Sequence, residues 1–260
     1  MLRVISTLET TRGGPSLAAR ASARALARAG LDVVQITTVA PRAAPHGPGE
    51  ETVDGVMYRY FPRSIPGTFH FSRSIGEFLR SVAREFDVMH IEALFQYPTV
   101  VACRAAMQHR IPYVLAPLGS LNDWSIRHRA WKKVPYFRLV EVTHLGSAAA
   151  LHANSPAEAE ALTAEGFGSK VHLIPLGVDV PADVGVERRL DGPVQLLFLS
   201  RLHPVKGLPL LLEALAAVRA RGLAVELTIA GTGDQAYERE LRDHVQRLAL
   251  GDVVRFVGHV

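Results

Sequence analysis

One stretch, residues 196–215, constrains the fold of this chain more than any other. Residues 196–199 form an apolar run typical of a buried strand, and leucines at three- and four-residue spacing from residue 208 onward are typical of a helix. Two cations, Arg201 and Lys206, lie in the break between them. A strand that leads directly into a helix favours a parallel sheet, and such sheets bind ligands at the carboxyl ends of their strands. The stretch therefore predicts a ligand site at this crossing.

The residues of the crossing suit a diphosphate. Gly207 lets the backbone approach a ligand closely, and the helix that follows points its first N–H groups at the same place. Arg201 and Lys206 add two fixed positive charges beside that helix end. Solvated loop charges without a ligand are the other interpretation, and the residues by themselves leave both open.

Composition excludes several classes of protein. The 260 residues are 48% hydrophobic and 21% charged, which is ordinary for a soluble globular chain of one large or two small domains. The net charge of +4 suits anionic ligands. The basic residues are spread along the chain without a recognisable module, which disfavours a nucleic-acid binder. Cys103 is the sole cysteine, so there is no disulfide framework.

The beginning of the chain and its hydropathy indicate a cytoplasmic protein. The short apolar run after Met1 has no basic flank before it and is typical of a first strand rather than of a signal peptide. No apolar run approaches the ~18 residues that a membrane span requires.

Strand and helix patterns alternate along the first part of the chain. Strands are predicted at residues 2–5, 32–38, 56–61, 87–92, 111–117 and 151–153 and from residue 171, and helices at residues 15–29, 72–85 and 97–109. Residues 41–55 are rich in Pro, Gly and Ala and predict a surface loop. A further helix begins at Ser155, where Ser155 and Glu158 have the spacing of a capping box.

A glycine pair, Gly13 and Gly14, follows the first predicted strand. The pair presents bare N–H groups to an anion or a sugar, although a plain tight turn is the simpler interpretation. The dinucleotide fingerprint requires three spaced glycines and an acidic residue after the second strand. Neither is present, because the second strand ends in Gln-Ile-Thr-Thr at residues 35–38. A nicotinamide or flavin oxidoreductase is therefore disfavoured.

The second part of the chain predicts a smaller domain. Residues 181–192 are polar and without periodicity, which is typical of a linker between domains at residues 1–182 and 193–260. Strands are predicted at residues 194–199, 224–230 and 253–257, with helices from residue 208 and at residues 235–248. A parallel sheet needs helices on both faces. We therefore expect that the second domain is incomplete in this sequence.

Taken together, these motifs resemble the GT-B glycosyltransferases, specifically the large retaining family 4. The resemblance rests on Arg201 with Lys206-Gly207 before a leucine-rich helix, Gly13-Gly14, the Asp-Val-Met-His segment at residues 87–90, residues 111–115, Pro117 with Gly119, a Trp followed by a Lys-Lys pair, and the Pro-x-Gly-Val-Asp segment at residues 175–179. It implies an α/β protein of two Rossmann-like domains with parallel sheets, the second of them incomplete.

The resemblance also implies roles for individual residues. Arg201, Lys206 and Gly14 would hold the diphosphate of a nucleotide-sugar, and Gly13 with Gly14 would form a loop that meets both donor and acceptor. Further residues are expected near the nucleotide (Gly231) and on the acceptor side (His90, Gly119, Ser120). Leu118 stands where most members of the family have His or Arg, so no catalytic base is assigned. No cofactor and no metal are expected.

The activity implied by the resemblance is transfer of a sugar, with retention, from a nucleoside-diphosphate sugar to a glycan or lipid-linked acceptor, in cell-surface polysaccharide synthesis. The paired glutamates that the family carries further along its second domain have no counterpart in this sequence. We therefore expect activity from a longer chain rather than from the 260 residues. A catalytically inactive remnant that serves as a binding or scaffold protein is the alternative.

A dense basic cluster surrounds both tryptophans of the chain. The cluster contains Trp124, Arg127, Arg129, Trp131, Lys132 and Lys133. A solvated basic helix with its tryptophans in the core would explain the pattern, and so would a surface that docks on acidic lipid headgroups. We favour peripheral contact with the anionic inner face of a membrane.

Overall fold

The computed structural model describes residues 1–9, 14–40, 48–122, 130–178 and 192–260. The chain divides into two compact units, Met1–Val180 and Pro181–Val260. Each unit has its own sheet and its own apolar core, and the units are described separately below.

The first unit is built on a sheet that, in its described residues, has eight strands in the order β3-β4-β2-β1-β5-β6-β7-β8. The strands are β1 (Leu2–Val4), β2 (Val33–Val39), β3 (Gly49–Val53), β4 (Val56–Pro62), β5 (Met89–Glu92), β6 (Tyr113–Ala116), β7 (Ala150–Ala153) and β8 (Val171–Leu173). The helices are α1 (Gly14–Arg28), α2 (Arg73–Val82), α3 (Tyr97–His109), α4 (Ala130–Tyr136), α5 (Val142–Ser147) and α6 (Pro156–Ala164). A π-helical turn, Phe137–Glu141, joins α4 to α5.

The sheet of the first unit is parallel as predicted except at one edge, where the prediction of a loop is wrong. Strand β3 lies within residues 41–55, which the composition predicted to be a loop, and it pairs antiparallel with β4. Its residues are mostly exposed, because an edge strand with one free side does not need apolar side chains on both faces. All other neighbouring strands of this sheet are paired in parallel.

The two faces of this sheet differ in character. Leu2 and Val4 of β1 lie in a large apolar cluster, to which α2 and α3 contribute Leu79 and Ala102. On the opposite face α1 packs through small side chains, among them Ala19. Because successive residues of a strand point to opposite faces, that second face receives most of the polar residues of β1, β2 and β5.

The second unit is a parallel sheet of three described strands in the order β11-β10-β9. The elements are β9 (Val194–Leu199), α7 (Leu208–Ala220), β10 (Val225–Ala230), α8 (Gln235–Arg247) and β11 (Val254–Gly258). Leu212 of α7 and Leu241 of α8 pack with Leu227 in one core. This arrangement confirms the predicted parallel sheet and places the crossing that contains Arg201 and Lys206 at the carboxyl end of β9.

Candidate functional site

The first unit has an open cleft of about 820 Å³ at the carboxyl edge of its sheet. Four of its lining segments follow parallel strands, which end at the same edge: the start of α1, the turn after β6, the turn after β7, and the segment that follows β8. The turn between β3 and β4 also lines it, through Val53 and Asp54. Residues that line the cleft include Gly14, Leu118, Gly119, Asn154, Glu158 and Gly177. Two of the residues predicted from the sequence, Gly14 and Gly119, are thus brought together.

Gly14 is the first residue of α1 and is exposed at the cleft. A Cβ atom built on Gly14 would have no neighbour within 4 Å, so the space beside its backbone is open. The N-terminal N–H groups of a helix favour a negatively charged ligand. Gly13, which was predicted to act with Gly14, lies outside the described residues.

The turns after β5 and β6 carry unusual backbone conformations. Ala93, Phe95 and Leu118 have positive φ angles of 70°, 61° and 50°, in a region that non-glycine residues rarely adopt. Such residues persist where the surrounding structure holds them, and they cluster at functional sites. The predicted acceptor-side residue Ser120 is one of the groups that hold these turns, since its hydroxyl accepts a hydrogen bond from the Leu94 N–H at 3.3 Å.

Two buried carboxylates reach these turns from the helices. Glu141 is fully buried and accepts a hydrogen bond from the Phe95 N–H at 2.7 Å. Glu158 accepts from the Gly119 N–H at 2.6 Å and from the Asn154 N–H at 2.9 Å. Sequence reasoning did not assign Glu141, and the spacing of Glu158 suggested another role.

The sequence predicted a capping box formed by Ser155 and Glu158, and the structure confirms the part of Ser155 but not that of Glu158. Ser155 caps α6 as expected, because its hydroxyl accepts the Glu158 N–H at 3.3 Å. The Glu158 carboxylate does not turn back to the backbone of Ser155, but bonds to Asn154 and Gly119 instead. The partner Gly119 is 39 positions away along the chain, so the spacing within the helix gave no signal for it.

His90, predicted to lie on the acceptor side, does not line the cleft. It lies in an adjoining groove of about 520 Å³ between α1 and the sheet face. Its Nδ1 atom is 3.2 Å from the Glu92 carboxylate, and its Nε2 atom is 3.4 Å from Nδ1 of His152. Glu92 also pairs with the buried Arg3 guanidinium, which bonds to the Ser22 hydroxyl of α1 at 2.7 Å.

Glu92 is ionised in this network. Burial opposes the charge, but the hydrogen bond from His90 and the positive charge of Arg3 outweigh it and hold the pKa of Glu92 below its usual value. The pair formed by Arg3 and Glu92 is buried on both sides, so loss of one partner would leave an uncompensated charge in the interior.

In the second unit, Arg201 and Lys206 are both exposed on the crossing from β9 to α7. Within the described ranges, neither side chain forms an ion pair with an acidic residue. Pro204–Lys206 form a single 3₁₀ turn, which Gly207 ends with φ 67° before it caps α7. The two cations therefore flank the N-terminus of a helix, as the sequence predicted.

Two glycines allow the crossing from β9 to α7 to lie close to the crossing from β10 to α8. The Leu202 N–H donates to the Thr232 carbonyl at 2.9 Å, and Leu202 forms a bridge with Gly233. A Cβ atom at Gly231 would overlap the Ser200 carbonyl oxygen, and one at Gly233 would overlap the Leu202 carbonyl oxygen. Gly231 was predicted to contact the nucleotide. In the structure, the absence of a side chain at this position allows the close approach of the two crossings.

The basic cluster is described from residue 130 onward, and Trp124, Arg127 and Arg129 lie outside the described residues. Trp131 is 76% exposed, so the interpretation that placed the tryptophans in the core is wrong for this one. The Lys132 ammonium lies 4.6 Å from the centre of the Trp131 ring. Val134 and Leu139 of the same helical segment are exposed as well.

The described residues contain neither a candidate membrane span nor a candidate metal site. No helix among them is long and apolar enough to cross a membrane. Groups of three or more His, Cys, Asp or Glu side chains arranged to hold a metal ion are likewise absent from the parts of the chain that the structure describes.

Two family models match the chain. One, described as glycosyl transferase 4-like domain, matches residues 13–177, and the other, described as glycosyl transferases group 1, matches residues 181–260. No curated protein sequence matches the chain.

Solved structures resemble the chain over its whole length. HepE from Anabaena, solved with UDP and glucose, is 19% identical with a TM-score of 0.69, and this chain covers 69% of it. Sucrose-phosphate synthase from Thermosynechococcus elongatus is 20% identical with a TM-score of 0.71 and 70% covered. A glycosyltransferase from Rickettsia africae is 16% identical with a TM-score of 0.67 and 68% covered. At these identities the likeness is one of fold.

Proposed function

The chain belongs to the glycosyltransferases with a glycosyl transferase 4-like domain, and on that premise we propose that it transfers a sugar from a nucleoside-diphosphate sugar, with retention, to a glycan or lipid-linked acceptor. The fold is GT-B. The similar protein HepE was solved with UDP-glucose, which supports a donor of this class. Synthesis of cell-surface polysaccharide is the setting that we propose for the reaction.

The observation that carries the proposal is the pair of exposed cations that precede α7. Arg201 and Lys206 are exposed and, within the described residues, have no acidic partner, so their charge is available to a ligand. In the first turn of α7 Leu208 and Leu210 provide N–H groups, whereas Pro209 has none, and helix N-termini favour phosphate. We propose that these groups bind the donor diphosphate.

The same groups would supply the catalytic effect. When the bond between the sugar and the diphosphate breaks, negative charge builds up on the departing oxygen. Cations and helix N–H groups that are already in place stabilise this charge without reorganisation. We propose that no metal ion is needed for this step, and we assign no catalytic base, since Leu118 has no group that accepts a proton.

On the acceptor side we propose the cleft of the first unit. Gly14 and Gly119 line it, and Ser120 supports the turn that contains Gly119. We propose that Gly13 and Gly14 contact the donor and the acceptor, and that Gly231 approaches the nucleotide. His90 lies in the adjoining groove and does not line the cleft. Its effect on acceptor binding would therefore be indirect, through the neighbouring residues of the sheet.

The test of the donor site is titration calorimetry with UDP and GDP. Lys206→Ala and Arg201→Ala should each weaken binding by roughly 1.5–3 kcal/mol, the scale of a hydrogen bond to a charged group. Arg221→Ala is the matched control, because Arg221 is an exposed cation just beyond the opposite end of α7. Unchanged affinity in both site variants, or an equal loss in the control, would refute the assignment.

We also propose that the protein docks on anionic membrane through the surface that carries Trp131 and Lys132. An exposed Trp beside a lysine combines an apolar anchor with a charge that contributes about 1 kcal/mol near an anionic surface. Co-sedimentation with vesicles should increase with their anionic lipid content and decrease with salt, and Trp131→Ala should reduce it. Equal binding to neutral and anionic vesicles would contradict this.

A further inference from the structure

Glu158 lies where the turns after β6 and β7 meet. It is 7% exposed, and it is the third residue of α6. Its Oε1 atom accepts the Gly119 N–H at 2.6 Å, and its Oε2 atom accepts the Asn154 N–H at 2.9 Å and the Asn154 side-chain amide at 3.4 Å. Three donors from two turns therefore converge on one buried carboxylate.

These bonds are not needed to begin the helix. Ser155 already caps α6 through its hydroxyl, and the negative charge of a residue in the first helical turn is favourable wherever its carboxylate points. The bond to Gly119 instead joins the helix to a turn that follows a different strand. Removing it would leave the Gly119 N–H without its partner.

The turn that Glu158 holds is under backbone strain. Leu118 has φ 50° and Gly119 has φ 76°, and both residues line the cleft together with Glu158. A left-handed residue such as Leu118 persists when neighbouring groups over-determine its conformation. Charge-assisted hydrogen bonds are about twice as strong as neutral ones, which makes the carboxylate a suitable group for this purpose.

We propose that Glu158 is a positioning residue, which fixes the turn of Leu118 to Ser120 at the rim of the cleft in the geometry that sugar transfer requires. The proposal rests on the proposed function, because it assigns that cleft to the acceptor. Its local part, that the carboxylate orders the turn, is testable without any sugar substrate.

The first measurement is hydrogen exchange of the amides of residues 118–122 in the full chain. In Glu158→Ala, exchange at Gly119 should become at least about tenfold faster, the scale expected when a bond to a charged group is lost. Glu158→Gln should lie between that variant and the wild type, because an amide can accept from one turn but presents its NH₂ group to the other. Glu160→Gln, an exposed carboxylate on the same helix, is the control and should exchange like the wild type.

The second measurement is chemical rescue. Formate fits the space that Glu158→Ala vacates, so adding it should slow exchange at Gly119 again, whereas chloride at equal ionic strength should not. Glu158→Gln fills the space, so formate should have no effect on it. This result would separate a need for the carboxylate from a loss of packing.

The third measurement is release of UDP from UDP-glucose by the same variants of the longer chain from which activity is expected. Glu158→Ala should release it at least about tenfold more slowly than the wild type, with recovery in formate. Wild-type exchange in Glu158→Ala, rescue no better than with chloride, or full turnover with a disordered turn would each overturn the inference. A longer wild-type chain that releases no UDP counts against the proposed function, and the exchange data then decide the role of Glu158.

Discussion

Replacing Gly231 or Gly233 by alanine should displace the crossing that contains Arg201. The Cβ atom of Ala at position 231 would overlap the Ser200 carbonyl oxygen and lie 2.9 Å from its carbonyl carbon. At position 233 it would overlap the Leu202 carbonyl oxygen. Both obstacles are backbone rather than flexible side chain, so the two crossings must separate by about 1 Å to restore van der Waals contact.

The expected cost separates into two physical causes. Gly231 has φ 138°, so alanine there meets both backbone strain and the overlap, and we expect a loss of about 3 kcal/mol in the free energy of unfolding of the second unit. Gly233→Ala meets the overlap without a positive φ angle and should cost about 2 kcal/mol. Gly222→Ala is the matched control, since it has φ 81° but no atom within 4 Å, and should cost about 1 kcal/mol.

Hydrogen exchange of peptides from residues 194–230 measures this loss within the second unit. Both overlap variants should also bind UDP more weakly, because a shift of about 1 Å misplaces a binding group. The control should keep the affinity of the wild type. If Gly231→Ala costs no more than Gly222→Ala does, backbone strain alone accounts for the loss, and close approach is excluded as its cause. Wild-type stability in Gly231→Ala would refute it directly.

Two further predictions concern buried groups of the first unit. Since the pKa of Glu92 is lower in the folded than in the unfolded state, its stabilisation is complete above the ordinary pKa of about 4.3 and is lost as the pH falls through the folded value. Urea titrations should therefore show that Glu92→Gln lowers the free energy of unfolding by about 3 kcal/mol at pH 7, because it leaves the buried Arg3 charge without a partner. In this variant the free energy of unfolding should also decrease less steeply as the pH falls below about 4.3. A decrease as steep as in the wild type would contradict this. Burial and the nearby Glu141 charge raise the pKa of the fully buried Cys103 thiol well above its usual value. A thiol reagent should therefore label Cys103 only as the first unit unfolds. Rapid labelling of the native protein would contradict this.

Local sequence patterns determined most of the elements and one half of the candidate site. The apolar run before Arg201 and the leucine spacing after Lys206 predict β9 and α7, because an element with one buried face repeats along the chain at its own period. The place of the two cations follows at once, since a strand, a short turn and a helix are consecutive in sequence. For the same reason α3 was predicted with the bounds that the structure has.

Strand β3 shows where local patterns end. Its residues include no buried side chain, so no alternation of apolar residues marks it. It exists because β4 offers a free edge to which it can hydrogen-bond. That edge is a property of the assembled sheet.

The contacts that hold the turns and the sheet face around the cleft also depend on tertiary structure, because their partners are far apart in the sequence. Arg3 and Glu92 meet because β1 and β5 are neighbours, although 89 positions separate them. Glu158 finds Gly119 because β6 and β7 end at the same edge of the sheet. A carboxylate at the start of a helix has several N–H groups within reach, and the sequence spacing predicts only a bond to the nearest of them. Which one it binds depends on the turns that the fold brings beside it.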